Sequence, residues 1–133
     1  AEEDRGGSCI FVVATDAPLL DRNLGRLARR ALLSLPRVGS SMSQGSGDYA
    51  IAFSTAPKNR IPHERTRPRR LVEDDRAEVL NALFQATLEA AEESILNALF
   101  AATDTTGFRG KTARALPIEE TLRICARHGV GAK

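Results

Sequence analysis

Ser8 is the first residue of this chain whose setting invites chemistry. Two glycines, Gly6 and Gly7, lead straight into it, and an unbroken apolar run from Cys9 to Ala14 follows. A serine hydroxyl is a weak nucleophile until a base takes its proton, and histidine is the usual base. Neither histidine has a matching setting, since His63 lies in a basic loop and His128 at a helix end. A different base exists if the bond from Gly7 to Ser8 is cut. Ser8 then gains an α-amine with a pKa of about 7.7–8.0, held beside its own Oγ. The cut needs only the same atoms: Oγ attacks the Gly7 carbonyl, the acyl group passes from nitrogen to oxygen, and water hydrolyses the ester. Without Cβ, Gly6 and Gly7 can reach a strained backbone that exposes that carbonyl. Glycine and serine also build ordinary loops, so from these residues alone both readings stand.

The elements that must hold Ser8 can be read from periodicity. Cys9 to Ala14 fits a strand buried on both faces, ended by Asp16 and Pro18. Leu20, Leu24, Leu27, Ala28, Ala31, Leu32 and Leu35 form one apolar stripe of a helix that Pro36 and Gly39 stop. The serine-rich "GSSMSQGSGD" has no period and reads as a loop, and Tyr49 to Ser54 reads as a second strand. Asp74 or Asp75 is placed to cap a long helix through Thr103, carrying Val79, Leu80, Leu83, Thr87, Ala91, Ile95, Ala98 and Leu99 at helical spacing. "LNALFQAT" at 80–87 nearly recurs as "LNALFAAT" at 96–103. At about 100° per residue that offset puts the copies on almost opposite faces, so the helix either breaks or is covered on both sides. "TGFRGKTARALP" is a turn-rich loop, and Ile118 to Arg127 a last short helix between Pro117 and Gly129. Two strands do not make a stable sheet, so strands from elsewhere are needed.

With 133 residues, 42% of them hydrophobic and 27% charged, one globular domain is expected. A balance of 19 basic to 17 acidic residues names no partner. Residues 58–70 gather six Lys or Arg with two prolines but no aromatics, which reads as a solvated loop or subunit contact, not a nucleic-acid site. The apolar runs are too short for a membrane span and no signal peptide opens the chain, so a soluble protein is expected, in the cytoplasm in preference to the periplasm. The polar start "AEEDRGG" has no initiator methionine, which points to a fragment or a processed piece. Cys9 and Cys125 have no metal-ligand spacing and read as buried thiols.

Four blocks in order, "GSCIFVVATDAPL", "GSGDYAIAFST", "ESILNALFAAT" and "TGFRGKTARALP", resemble the C-terminal, catalytic β-subunit of the L-aminopeptidase/D-esterase (D-amidase) family, which includes the β-aminopeptidases. The resemblance spans nearly all of residues 7–133. It implies a precursor that cleaves itself, so residues 1–7 are the tail before the processing site, Gly7 ends it, and residues 8–133 are the catalytic β-subunit. Ser8 is then the N-terminal nucleophile. In "GSGD", Ser46 and Asp48 match the positions whose side chains support it, although some relatives carry Glu where Asp48 stands. Alone, Ser-Gly-Asp before a strand would be an ordinary turn. The implied fold is α/β, a four-layer α/β/β/α sandwich completed by a separate α-subunit that also holds the oxyanion-hole side chains and most of the specificity pocket. The implied partners are that α-subunit, further αβ units in a tetramer of heterodimers, and small peptide, amide or ester substrates. No metal or organic cofactor is implied.

Two rivals remain. The ornithine acetyltransferases resemble this fold and also self-process, but with a threonine where Ser8 stands. In a non-catalytic interaction subunit the Gly7 to Ser8 segment would be a loop and the stretch from Arg65 to Arg70 a partner contact.

Overall fold

The alternation of side chains along the two strands decides what they pack against. The computed structural model describes residues 7–61, 63 and 70–131. Gly6 with the rest of the expected tail before Gly7, and Arg65 to Arg69 of the basic stretch, lie outside the described residues. The chain falls into two compact units, Ala1–Glu93 and Ser94–Lys133.

In the first unit, β1 (Ile10–Thr15) and β2 (Tyr49–Ser54) form a parallel pair with Ile10 opposite Tyr49 and Thr15 opposite Ser54. Parallel neighbours need a crossover, and the helices α1 (Asp21–Leu32) and α2 (Ser34–Arg37) supply it. β2 occupies the residues that its pattern predicts. β1 starts one residue later than expected, because the Cys9 N–H turns to the Asp48 carboxylate instead of the ladder. The expectation that β1 is buried on both faces is corrected. Phe11 is buried, but Ile10 is 74% exposed, and Val12, Tyr49, Ile51 and Phe53 are exposed on the same side. Among the described residues of the first unit, α1 packs against the pair.

Where the stripe from Leu20 to Leu35 predicts one helix, the chain breaks at Leu33. Buried Ser34 donates its hydroxyl to the Ala31 carbonyl at 2.6 Å, a local bond that competes with helix continuation. Pro36 does not stop the helix but sits within the first turn of α2, where a missing N–H costs little. Gly39, at φ 100°, makes the stop. No side chain of α1 caps its own start. Glu73 does so from a distant segment: its Oε1 accepts the Leu20 N–H at 3.1 Å and the amide of fully buried Asn23 at 2.8 Å.

The long helix α3 (Ala77–Ala101) begins after the expected Asp74 or Asp75, because Asp74 is engaged by the N–H and guanidinium of Arg76. Leu80 and Phe84 from its first turns join Leu19 and Leu27 in the core, with Ala17, Leu24, Ala52 and Leu83 around them. The Arg30 guanidinium lies 3.5 Å and that of Arg26 4.6 Å from the Phe84 ring centre, closing the core with cation–π contacts. The helix does not break at the near-repeat. The first copy puts Leu80 and Phe84 in the core, whereas Leu96, Leu99 and Phe100 of the second are exposed.

In the second unit, the stretch read as a plain loop contains a two-residue hairpin, β3 (Thr105–Thr106) with β4 (Thr112–Ala113). Arg109 at φ 59° and Gly110 at φ 71° form its turn. The last helix, α4 (Ile118–Arg127), has the predicted bounds, with Gly129 at φ 71° beyond it. Cys9 and Cys125 are free thiols and half-buried, less enclosed than expected. Among the described residues no helix is long and apolar enough to cross a membrane.

Candidate active site

Because β1 and β2 run parallel, their N-terminal ends lie side by side, and the loops leading into both strands meet there. Ser8 precedes β1 and "GSGD" precedes β2, so residues 39 apart in sequence become neighbours. The Gly47 N–H donates to Ser8 Oγ at 2.9 Å. The Tyr49 N–H donates to the Cys9 carbonyl at 2.9 Å, continuing the pairing beyond the ladder.

Asp48 ties the two loops together. Its Oδ1 accepts the Cys9 N–H at 2.8 Å and its Oδ2 accepts the Ser46 hydroxyl at 2.6 Å. The Ser46 hydroxyl, whose alternative acceptor is the Gly7 carbonyl oxygen at 2.9 Å, stands between the carboxylate and the Gly7–Ser8 peptide bond. One hydroxyl hydrogen serves one acceptor at a time, and the charged acceptor makes the stronger bond. The Ser46 hydrogen bond, then the Cys9 N–H, hold the Asp48 carboxyl below its usual range, with partial desolvation opposing them. A turn in which the Ser46 N–H donates to the Ser43 carbonyl at 2.8 Å presents the loop.

Gly7, Ser8, Ser46 and Asp48, all predicted from sequence, thus come together in one hydrogen-bonded group. Among the described residues, the hydrogen bonds of Ser8, Ser46 and Asp48 involve no imidazole. Two contributors were missed: the backbone N–H groups of Cys9 and Gly47. Only the glycine inside "GSGD" signalled the second, as a place where backbone can approach a neighbour closely. Among the described residues no group of three or more His, Cys, Asp or Glu is placed to hold a metal ion.

The family model for peptidase family S58 matches residues 1–113, and the chain belongs to that family. The chain is 39% identical over 128 residues to the β-peptidyl aminopeptidase BapA of Sphingosinicella microcystinivorans, covering 92% of this chain and 30% of that protein. It superposes on the PH0078 protein of Pyrococcus horikoshii OT3 with a TM-score of 0.77 at 45% identity, covering 89% of this chain and 33% of that one. For the L-aminopeptidase D-Ala-esterase/amidase of Ochrobactrum anthropi, described as a prototype for the serine aminopeptidases and a variant of the Ntn hydrolase fold, the TM-score is 0.76 at 34% identity, over 91% of this chain and 34% of that one. The present chain, an α/β structure, spans about a third of the length of each.

Proposed function

We propose that residues 8–133 are the β-subunit of a self-processing N-terminal-serine hydrolase, which releases N-terminal amino acids from small peptides, amides or esters through an acyl-enzyme on Ser8. The observation that carries this reading is the contact of the Ser8 hydroxyl with the same short loop whose Ser46 and Asp48 are joined at 2.6 Å.

In the precursor, Ser8 Oγ attacks the Gly7 carbonyl carbon and the Oγ proton passes to the Ser8 nitrogen as the C–N bond breaks. Water then hydrolyses the ester, leaving the tail through Gly7 with a carboxylate and Ser8 with a free amine. In turnover that amine takes the Oγ proton as Oγ attacks the substrate carbonyl, with Ser46 relaying or holding the proton. The Asp48 carboxylate orients Ser46 and stabilises the ammonium. The leaving amine or alcohol takes the proton, and water attacks the ester to release the amino acid.

The bare outer face of β1 and β2 supports placing this chain in a four-layer α/β/β/α sandwich, with an α-subunit from the same precursor covering that face and supplying the oxyanion hole, and with αβ units assembled as a tetramer. Serine in place of threonine favours this over an ornithine acetyltransferase-like transfer. The test is mass spectrometry of the complete precursor. A chain beginning at Ser8 is expected in the wild type, and Ser8→Ala abolishes both scission and hydrolysis of amino-acid amides. Scission in the Ser8→Ala protein removes Ser8 as the processing nucleophile, and an unbroken wild-type chain after long incubation favours a binding subunit.

A further inference from the structure

The 2.9 Å hydrogen bond from the Gly47 N–H to Ser8 Oγ reaches the atom that forms and breaks bonds, yet neither the amine base nor Ser46 accounts for it. It belongs to a set of contacts in which residues 46–49 meet residues 7–9 in order. Ser46 Oγ lies 2.9 Å from the Gly7 carbonyl oxygen, and Gly47 donates to Ser8 Oγ. The Asp48 carboxylate accepts the Cys9 N–H at 2.8 Å, and the Tyr49 N–H donates to the Cys9 carbonyl at 2.9 Å. The two bonds to Cys9 do not involve the Gly7–Ser8 peptide bond, so scission leaves them in place and the loop stays against Ser8. A serine oxygen has one hydrogen and two lone pairs. With one pair directed at the Gly47 N–H, the other pair and the hydrogen take the two remaining tetrahedral directions, as attack on a carbonyl and transfer to a base require.

We propose that the Gly47 backbone N–H is a catalytic hydrogen-bond donor to Ser8 Oγ, fixing its direction during attack and stabilising the negative charge that returns to it when the acyl-enzyme is hydrolysed. The proposal rests on the reading of Ser8 as the nucleophile. In that hydrolysis the water oxygen bonds to the acyl carbon while the Ser8 amine takes one of the water protons. The bond from the acyl carbon to Oγ then breaks with its electron pair left on Oγ, which receives the proton from the ammonium. A donor already aimed at Oγ needs no reorganisation as that charge develops, and its hydrogen bond strengthens with the charge. The ester formed from Gly7 during scission has the same leaving atom, so the same donor serves both.

The test uses the complete precursor with glycolic acid in place of Gly47, introduced by nonsense suppression, which exchanges the N–H for an oxygen and alters no side chain. Protein whose chain begins at Ser8 is treated with the p-nitrophenyl ester of alanine, whose good leaving group loads Ser8 with an alanyl group. Loss of that adduct is timed by mass spectrometry after the excess ester is removed. Its rate constant is expected to fall by about 10²-fold relative to wild type, the scale of removing one donor from a developing oxyanion. A loop displaced without any role for the N–H impairs loading of Ser8 and leaves the lifetime of the adduct alone. A rate constant within about threefold of wild type overturns the proposal while leaving the hydrolase reading intact. Should the substituted protein not fold, not cleave or not form the adduct, the crystal structure of the cleaved wild type decides. There a Gly47 nitrogen within hydrogen-bond distance of Oγ supports the proposal, and one beyond about 3.5 Å overturns it. A wild type that never frees Ser8 overturns the hydrolase reading, and this proposal with it.

Discussion

Replacing Ser46 with alanine isolates the contribution of the hydroxyl that stands between Asp48 and the Gly7–Ser8 peptide bond. The substitution removes a 2.6 Å hydrogen bond to a carboxylate and the hydroxyl that bridges that carboxylate to the Gly7 carbonyl. A hydrogen bond to a charged group contributes about 1.5–3 kcal/mol, which corresponds to a factor of roughly 10 to 150 if it is realised in the transition state. A proton relay contributes about 10²–10⁴-fold. The hydrogen bond alone sets the floor and the relay the ceiling, so kcat/KM per cleaved chain is expected to fall by between about 10-fold and 10⁴-fold. Fold stability changes little, because the Cys9 N–H still holds Asp48 at 2.8 Å. Amino-acid amide hydrolysis is followed across pH in protein whose N-terminus is Ser8, and the appearance of that N-terminus is timed in the precursor. Without the hydroxyl Asp48 loses the largest of the influences that keep its pKa low, so the acid limb of the profile moves to higher pH. A Ser46→Ala protein within about threefold of wild type at all pH values would refute the assigned role.

Asp48 also makes a prediction about acid stability. Its folded-state pKa lies below the ordinary carboxylate value of 3.8. It therefore stabilises the fold above that value, and the contribution disappears as pH falls through the lower folded-state value. Urea midpoints of wild type and Asp48→Asn are expected to differ by a constant amount from neutral pH down to about pH 4 and to converge below it. A gap that stays constant to the lowest pH would show that the Asp48 charge does not contribute. Asn23→Ala removes the buried amide bonded to Glu73 and the acceptor at 2.9 Å from the Arg26 guanidinium. It is expected to lower the unfolding free energy by about 2–4 kcal/mol, read from urea denaturation, and a loss below about 0.5 kcal/mol would contradict the bridging role.

Local patterns sufficed for the elements whose limits are set by their own residues. The alternation of Tyr49 to Ser54 and the Pro117 and Gly129 boundaries of α4 needed no knowledge of neighbours. Ser8, Ser46 and Asp48 were legible because their sequence blocks resemble those of a known family. Their proximity was not, since hydroxyls and carboxylates 39 residues apart meet only when two strands pair in parallel at one register. The same non-local pairing decided the rest. Glu73 caps a helix 53 residues upstream, Gly47 gives its N–H to Ser8 Oγ, and Cys9 leaves the ladder for Asp48. The break at Leu33 escaped notice because an apolar stripe reports which face is buried, not whether a buried serine diverts the backbone bond that continues the helix. The exposed side of β1 differs again: its apolar residues declared a strand buried on both faces, but an apolar pattern records hydrophobicity and not what packs against it.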